Sequence, residues 1–217
     1  GATSSHMVYP TGVDREGHVM SARDVATASA VALRNPLFAE IVSTQKATLA
    51  SQVRPEGYEI FTTNDLLVEG LANGVKTGST PQAGGCLATS FDLGPGHVVS
   101  VVLGSEFTED EDGFPDYGQR FTDTRALMSA AESGYVWLDL TSPDTLEGLT
   151  EELAVWDVAL PEQIQVPVAV QDASRLRYRL RLSPPDSPDG GPGELQVFVG
   201  DALLLSQPTV VASQGVA

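Results

Sequence analysis

The chain has 217 residues, 41% hydrophobic and 19% charged, enough for one large domain or two small ones around a real core. A formal net charge of -17 argues against nucleic acid as a partner, because phosphates demand basic patches, and against adhesion to anionic lipid. The single cysteine, Cys86, excludes an intrachain disulfide or a cysteine zinc cluster, and no apolar run approaches membrane-spanning length.

Residues 1–7 read as an expression scar and are set aside from the fold. Ser21 and Asp24 have the spacing of a capping box, with Asp in place of Glu. Ala22, Val25, Ala26 and Ala32 then form a small apolar stripe, and Asn35-Pro36 ends that helix. A second helical piece is expected at 37–43, a short strand at 58–61, and a short helix at 64–71 broken by Asn73-Gly74. Three strands follow at 75–79, 86–91 and 97–103, with Gly94-Pro95-Gly96 turning between the last two, so antiparallel pairing is predicted. An acidic loop at 106–116 precedes a helix at 122–133 that stops at Gly134, and 135–140 reads as an extended exit.

A composition shift at Thr141-Ser142-Pro143-Asp144 opens a stretch that reads as all-β. Residues 175–182 alternate arginine with an apolar or aromatic side chain, period two, so one strand face is buried and the other carries guanidinium groups. Further strands are expected at 153–158, 164–170, 195–199 and 203–211, with a long turn from Pro184 to Gly193. The inferred unit is a small β-sandwich of roughly seventy residues, near the size at which a lone core becomes marginal. Trp137 and Trp156 read as core or interdomain anchors, and Cys86 as a buried small hydrophobe.

The residues that carry chemistry lie in Gly74-Val75-Lys76-Thr77-Gly78-Ser79-Thr80-Pro81 and its continuation to Leu87. On an edge strand this run can pair with an extended peptide by β-augmentation. Gly78 lets a ligand approach the backbone, Lys76 offers a cation to a carboxylate, Thr77 adds a hydroxyl donor, and the Ser79 N–H can face a developing oxyanion. The triplet Lys-Thr-Gly is one of three motifs of the serine enzymes that react with β-lactams. Asp110, Asp112 and Asp116 around Gly113 hint at a calcium loop, but the twelve-residue pattern with its distal Glu is missing; a solvated acidic loop is the expectation, and no metal site or cofactor is assigned.

From residue 9 to 140 the chain resembles the later part of a D-alanyl-D-alanine carboxypeptidase, a low-molecular-mass penicillin-binding protein. The resemblance rests on Pro10-Thr11-Gly12-Val13-Asp14, Gly17-His18, Ser21-Ala22-Arg23-Asp24-Val25-Ala26, Thr63-Asn64-Asp65-Leu66-Leu67, the run 74–87 and 120–127. The tail 146–212 is similar to that family's β-rich second domain in pattern. The resemblance implies an α+β fold: a partial penicillin-binding transpeptidase-like domain at 8–142, antiparallel sheet with helices, then a β-rich domain at 143–217. It implies acyl transfer that trims peptidoglycan stem peptides ending in D-Ala-D-Ala, and acylation by β-lactams, outside the cytoplasmic membrane in the periplasm or envelope. Lys76 and Thr77 would hold the terminal carboxylate, with Thr80 beside them, Gly78 would give backbone access, and the Ser79 N–H would form half of the oxyanion hole.

The family's nucleophile and second motif do not accompany that strand. Ser43-Thr44-Gln45-Lys46 satisfies Ser-x-x-Lys, but only about thirty residues before the Lys-Thr-Gly run and after the capped helix, and no Ser-x-Asn exists. The expectation is a fragment beginning after the Ser-x-Asn motif, catalytically silent alone. Its partner would be the missing N-terminal part of the enzyme, with self-association where apolar surface is left uncovered. Two other readings stand beside it: a non-catalytic peptide- or protein-binding module of the cell envelope, and an enzyme that uses Ser43 and Lys46.

Overall fold

The computed structural model describes residues 2–109, 111–183 and 192–212. The chain divides into two compact units, Gly1–Ala131 and Glu132–Ala217.

In the first unit, Ser21 caps α1 (Ala22–Ala32) and Asn35 caps α2 (Pro36–Val42). The Ser21 hydroxyl accepts from the Asp24 N–H at 3.1 Å, and Asn35 accepts from Leu37 and Phe38, with Pro36 at the first helical position. The apolar stripe expected on α1 is not its deepest part. Ala22 is exposed, and the buried positions are Asp24 and Ser29. The Asp24 carboxylate accepts from the Ser4 N–H at 2.8 Å and the Ser5 hydroxyl at 2.7 Å, while His6 bridges Val19 antiparallel. Residues 4–6, set aside above as part of a scar, are therefore built into this unit.

Strand β1 (Lys46–Leu49) pairs antiparallel with β2 (Tyr58–Phe61), so the segment after Ser43 becomes a hairpin arm rather than a continued helix end. A one-turn helix, α3 (Asp65–Val68), leads into β3 (Val75–Thr80), β4 (Gly84–Leu93) and β5 (Gly96–Ser105). These three form the predicted antiparallel sheet in the order β3-β4-β5. Central β4 is buried on both faces through Leu87, Ala88, Thr89 and Phe91, which leaves β3 an edge. Cys86, on β4, is half-buried rather than fully enclosed.

The acidic loop folds in part into a tiny hairpin, β6 (Thr108–Glu109) with β7 (Pro115–Asp116). Asp110 lies outside the described residues. Asp116 accepts from the Gly118 N–H at 2.8 Å, as a turn cap does, and no group of three His, Cys, Asp or Glu among the described residues is placed to hold a metal. Helix α4 (Gln119–Gly134) starts three residues before its expected position. Its Phe121 closes a small core with Leu66, Ala72 and Leu87, against which Met128 packs.

The second unit begins at the exit segment itself. Strand β8 (Tyr135–Asp139) pairs with the later β10 (Gln165–Ala169), so the composition shift at 141–144 falls inside this unit and not at its border. The expectation of an all-β unit is corrected by α5 (Leu149–Val155), which occupies much of the strand expected at 153–158. Gly148 at φ 81° turns the chain into it, Glu151 and Glu152 favour the positive helix start, and Leu149 anchors it in the core. Strand β9 (Val158–Ala159) follows, and after β10 a 3-10 turn (Val170–Arg175) leads to β11 (Leu176–Leu182). Then come β12 (Gly193–Val199), β13 (Ala202–Pro208) and β14 (Val210–Val211). The expected strand 203–211 is thus two strands that serve different sheets, β11-β12-β13 and β14-β9.

Most of the long turn expected at 184–193 lies outside the described residues. The core joins Leu195 and Val197 of β12 to Val166 and Val168 of β10, with Leu140, Leu146, Leu149 and Ile164. Small antiparallel sheets share this core, and among the described residues they close no barrel. Trp156 caps the end of α5 and is 54% exposed, so it is no core anchor.

Candidate functional site

The run singled out in the sequence is β3, and β3 is a free edge. Lys76 is exposed there, opposite Ala88; Gly78 is exposed opposite Cys86. A Cβ built on Gly78 would meet only the Cys86 Cβ, at 3.7 Å, an ordinary contact. Internal packing does not demand glycine at this position. Its missing side chain keeps the strand face open to something outside the chain.

Three side chains near Gly78, those of Lys76, Thr77 and Thr80, have hydrogen-bond partners. The Thr77 hydroxyl is 2.6 Å from the Thr63 hydroxyl, and the Lys76 ammonium bonds to the Thr77 carbonyl. The Thr80 hydroxyl donates to Asp14 at 2.5 Å and accepts from the Ala83 N–H at 3.0 Å, so it is committed to holding the turn after the strand. Asn64, 4% exposed, donates to the Gly74 carbonyl at 3.3 Å. Segments 10–14 and 63–67, which carried part of the resemblance, therefore brace the two ends of β3.

Sequence reasoning missed Arg120. From the first turn of α4 its Nη1 donates to the Gly78 carbonyl at 3.0 Å, which brings a second cation to the same strand. Its Nε is buried without a hydrogen-bond partner. The helix is tied to the sheet by Asp123, which accepts from Ser105 at 2.6 Å and from Gln119 at 2.7 Å; these bonds hold its carboxyl below the ordinary range.

A cavity of about 560 Å³ opens beside Lys76 and Thr77, walled by Ile41 and Val42 of α2, Ile60 and Phe61 of β2, and Thr63. Its lining is apolar and open: Ile41, Leu49 and Phe61 all stand more than half exposed.

The Ser43–Lys46 pair does not assemble. Ser43 caps α2 and donates to the Glu40 carbonyl at 3.1 Å, while Lys46, on β1, forms an ion pair with Glu59. Neither partner is the other, so no base serves that hydroxyl.

This open edge strand, with an arginine on its glycine carbonyl, carries Lys-Thr-Gly, one of the three motifs of the serine enzymes that react with β-lactams. The sequence profile of D-alanyl-D-alanine carboxypeptidases matches residues 1–107, which include the seven set aside as a scar. Through this match residues 1–107 belong to the D-alanyl-D-alanine carboxypeptidase family, a family of penicillin-binding cell-wall peptidases.

The chain is similar in fold to penicillin-binding protein 5 from Haemophilus influenzae, with TM-score 0.64, 18% identity, and coverage of 97% of this chain and 61% of that one. The D-alanyl-D-alanine carboxypeptidase DacD from Francisella tularensis gives 0.57 and 19%, covering 97% and 63%. Penicillin-binding protein 6B from Escherichia coli gives 0.54 and 20%, covering 92% and 52%. The chain thus spans between 52% and 63% of the length of these relatives. No curated protein matches the sequence significantly.

Proposed function

We propose that this chain supplies the carboxylate-binding wall and half of the oxyanion hole of a serine-type D-Ala-D-Ala carboxypeptidase, and that the nucleophile and its base come from polypeptide outside it. The observation that carries this reading is the exposed Lys76 on the open edge β3, with Arg120 bound at Gly78. A cation on the extended strand and a second one reaching it from α4 suit a peptide that ends in a free carboxylate.

In this reading the peptide lies antiparallel to β3, and Gly78 admits its backbone. Lys76 and Arg120 hold the terminal carboxylate, with Thr77 as a further donor. The Ser79 N–H faces the carbonyl oxygen as it gains charge, and serine attack yields an acyl-enzyme with loss of the terminal D-Ala. A β-lactam enters by the same recognition of its carboxylate and stays as the acyl adduct. The substrate is a peptidoglycan stem peptide, and the setting is extracytoplasmic. The open apolar rim around Phe61 is covered by the rest of the enzyme or, in the isolated chain, by a second copy.

The test is acylation by a fluorescent penicillin. This chain alone is expected to take no covalent label. In the protein of full encoded length, Lys76→Ala is expected to slow acylation about 10- to 100-fold, the cost of a lost hydrogen bond to a charged group. Acylation unchanged by that substitution overturns the reading. Label on the isolated chain that disappears in Ser43→Ala overturns the placement of the nucleophile. A longer protein that never acylates yet binds peptides through Lys76 favours a non-catalytic binding module.

A further inference from the structure

The arginines of β11 find no use in the site just described. Arg177, Arg179 and Arg181 are exposed on one face at every second position, and Leu176, Tyr178 and Leu180 alternate with them on the inner side. Among the described residues none of the three has an ion-pair partner, as is also true of Arg15, Arg23 and Arg34, while Lys46, Arg54, Arg125 and Arg175 are each paired with a carboxylate. Arg179 only overlies the Phe198 ring, at 5.4 Å. In a chain with 29 acidic and 12 basic residues, three unpaired guanidiniums in a row leave attraction unused.

The second observation is independent of charge. In the order β11-β12-β13, β11 has a neighbour on one side only among the described residues, and alternate N–H and C=O groups along its other side find no ladder partner among them. A depression of about 580 Å³ lies at the first half of this strand, lined by Leu176 and Arg177 and by Asp144 and Glu147. Arg179 and Arg181 lie outside that lining; Arg179 instead lines a smaller depression with Arg177, Phe198 and Asp201. Across the sheet, Arg181 is opposite Glu194, whose carboxylate already accepts from Gln196 and Ser206.

We infer that β11 is a docking edge for an extended acidic protein segment, which adds as a fourth strand and sets Asp or Glu side chains beside Arg179 and Arg181. Side chains on one strand face recur at roughly 6.8 Å, so only a partner with the same two-residue period meets successive arginines. Guanidinium forks match carboxylates in pairs, and directly opposed unlike charges stabilise a strand pair. Asp144 and Glu147 repel acid at the first half and set the register toward the far half.

The experiment titrates the 217-residue chain with fluorescent peptides by anisotropy. One peptide alternates Glu with Thr or Val; a second has the same composition with the glutamates contiguous. The alternating peptide is expected to bind at least tenfold more tightly, and to lose that advantage in Arg179→Gln/Arg181→Gln and on N-methylation of its ladder amides. Arg179→Lys/Arg181→Lys, which keeps the charge, retains part of the binding and shows that the sheet has not collapsed. Equal binding of both peptides overturns strand addition. Tighter binding of inorganic polyphosphate or of phosphatidylglycerol vesicles through the same arginines overturns the choice of partner. No binding by any probe makes the stripe a solubilising edge and overturns the inference. None of these results depends on penicillin acylation, so they stand apart from the reading of Lys76.

Discussion

Arg120 donates to the carbonyl oxygen of Gly78 across 42 residues of sequence, at 3.0 Å. The helix and the edge strand are thus joined at the one position of the motif that has no side chain. Replacing Arg120 by Ala removes that bond at a partly exposed site, so the stability cost is expected to be about 1 kcal/mol. The effect on β-lactam acylation in the longer protein is expected to be larger, because a cation for the carboxylate is lost too. Comparing denaturant midpoints with acylation rates checks the split. A parallel fall in both would assign Arg120 to structure alone.

Gly78→Ala separates fold from function most sharply. The added methyl meets only Cys86 at ordinary distance, and alanine in a strand is favoured over glycine by about 0.5–1 kcal/mol. Unchanged or slightly raised stability is expected, together with weaker binding of a peptide ending in D-Ala-D-Ala. Binding equal to that of the parent would show that nothing approaches this face.

Acid should loosen the N-terminal segment. Asp24 titrates below its ordinary value of 3.8, chiefly through the Ser5 hydroxyl and against an opposing desolvation. A depressed carboxyl adds stability that is present above the unfolded value and is lost as pH falls through the folded one. Asp24→Asn should therefore lower the melting temperature at neutral pH, and the gap should close below about pH 3.8, the unperturbed value. A gap that stayed constant well below that pH would remove the charge from the explanation.

Tyr178 gives the opposite sign. Burial, then the hydrogen bond and charge of Glu152, push it from 10.0 to about 12. The hydroxyl donates to Glu152 at 2.7 Å and so links β11 to α5. Between the unfolded and folded values the native chain holds a proton that the unfolded chain releases, so stability falls as pH rises from about 10 to about 12. Tyr178→Phe should lose less stability than the parent over that interval. Near-UV absorbance should show one tyrosine ionising last in the parent and missing in the variant.

Leu195 tests the core of the second unit. It is 0% exposed within that core, and Leu195→Ala is expected to cost about 2–5 kcal/mol. In a unit of this size that is a large part of total stability. Hydrogen exchange should show lost protection in β12 and β10 before any change in β3–β5.

The elements legible in the sequence were those with a local signal. Ser21 announced α1 by its cap, Gly94-Pro95-Gly96 announced the β4–β5 turn, and the alternation in 176–182 announced β11 and its exposed face. The segment 149–155 failed because its apolar and β-branched residues have no decisive period. The cue that mattered was Gly148 followed by two glutamates, a weak helix start whose helix is fixed by burial of Leu149. Arg120 opened the segment 120–127 that carried part of the resemblance, but nothing in the sequence tied it to β3. It is one of ten arginines, and only the packing of Phe121 against Leu66 and Leu87 brings it to Gly78. The place of Asp24 was hidden for a different reason: its partners Ser4 and Ser5 had been set aside.

The scarcity of lysine has a practical consequence. The chain has two ε-amines, and one of them, on Lys46, is tied to Glu59. Amine-selective acylation followed by peptide mass measurement would therefore read occupancy at position 76 from an unaltered protein. A bound anionic ligand would shield that nitrogen while the Lys46 peptide served as internal reference.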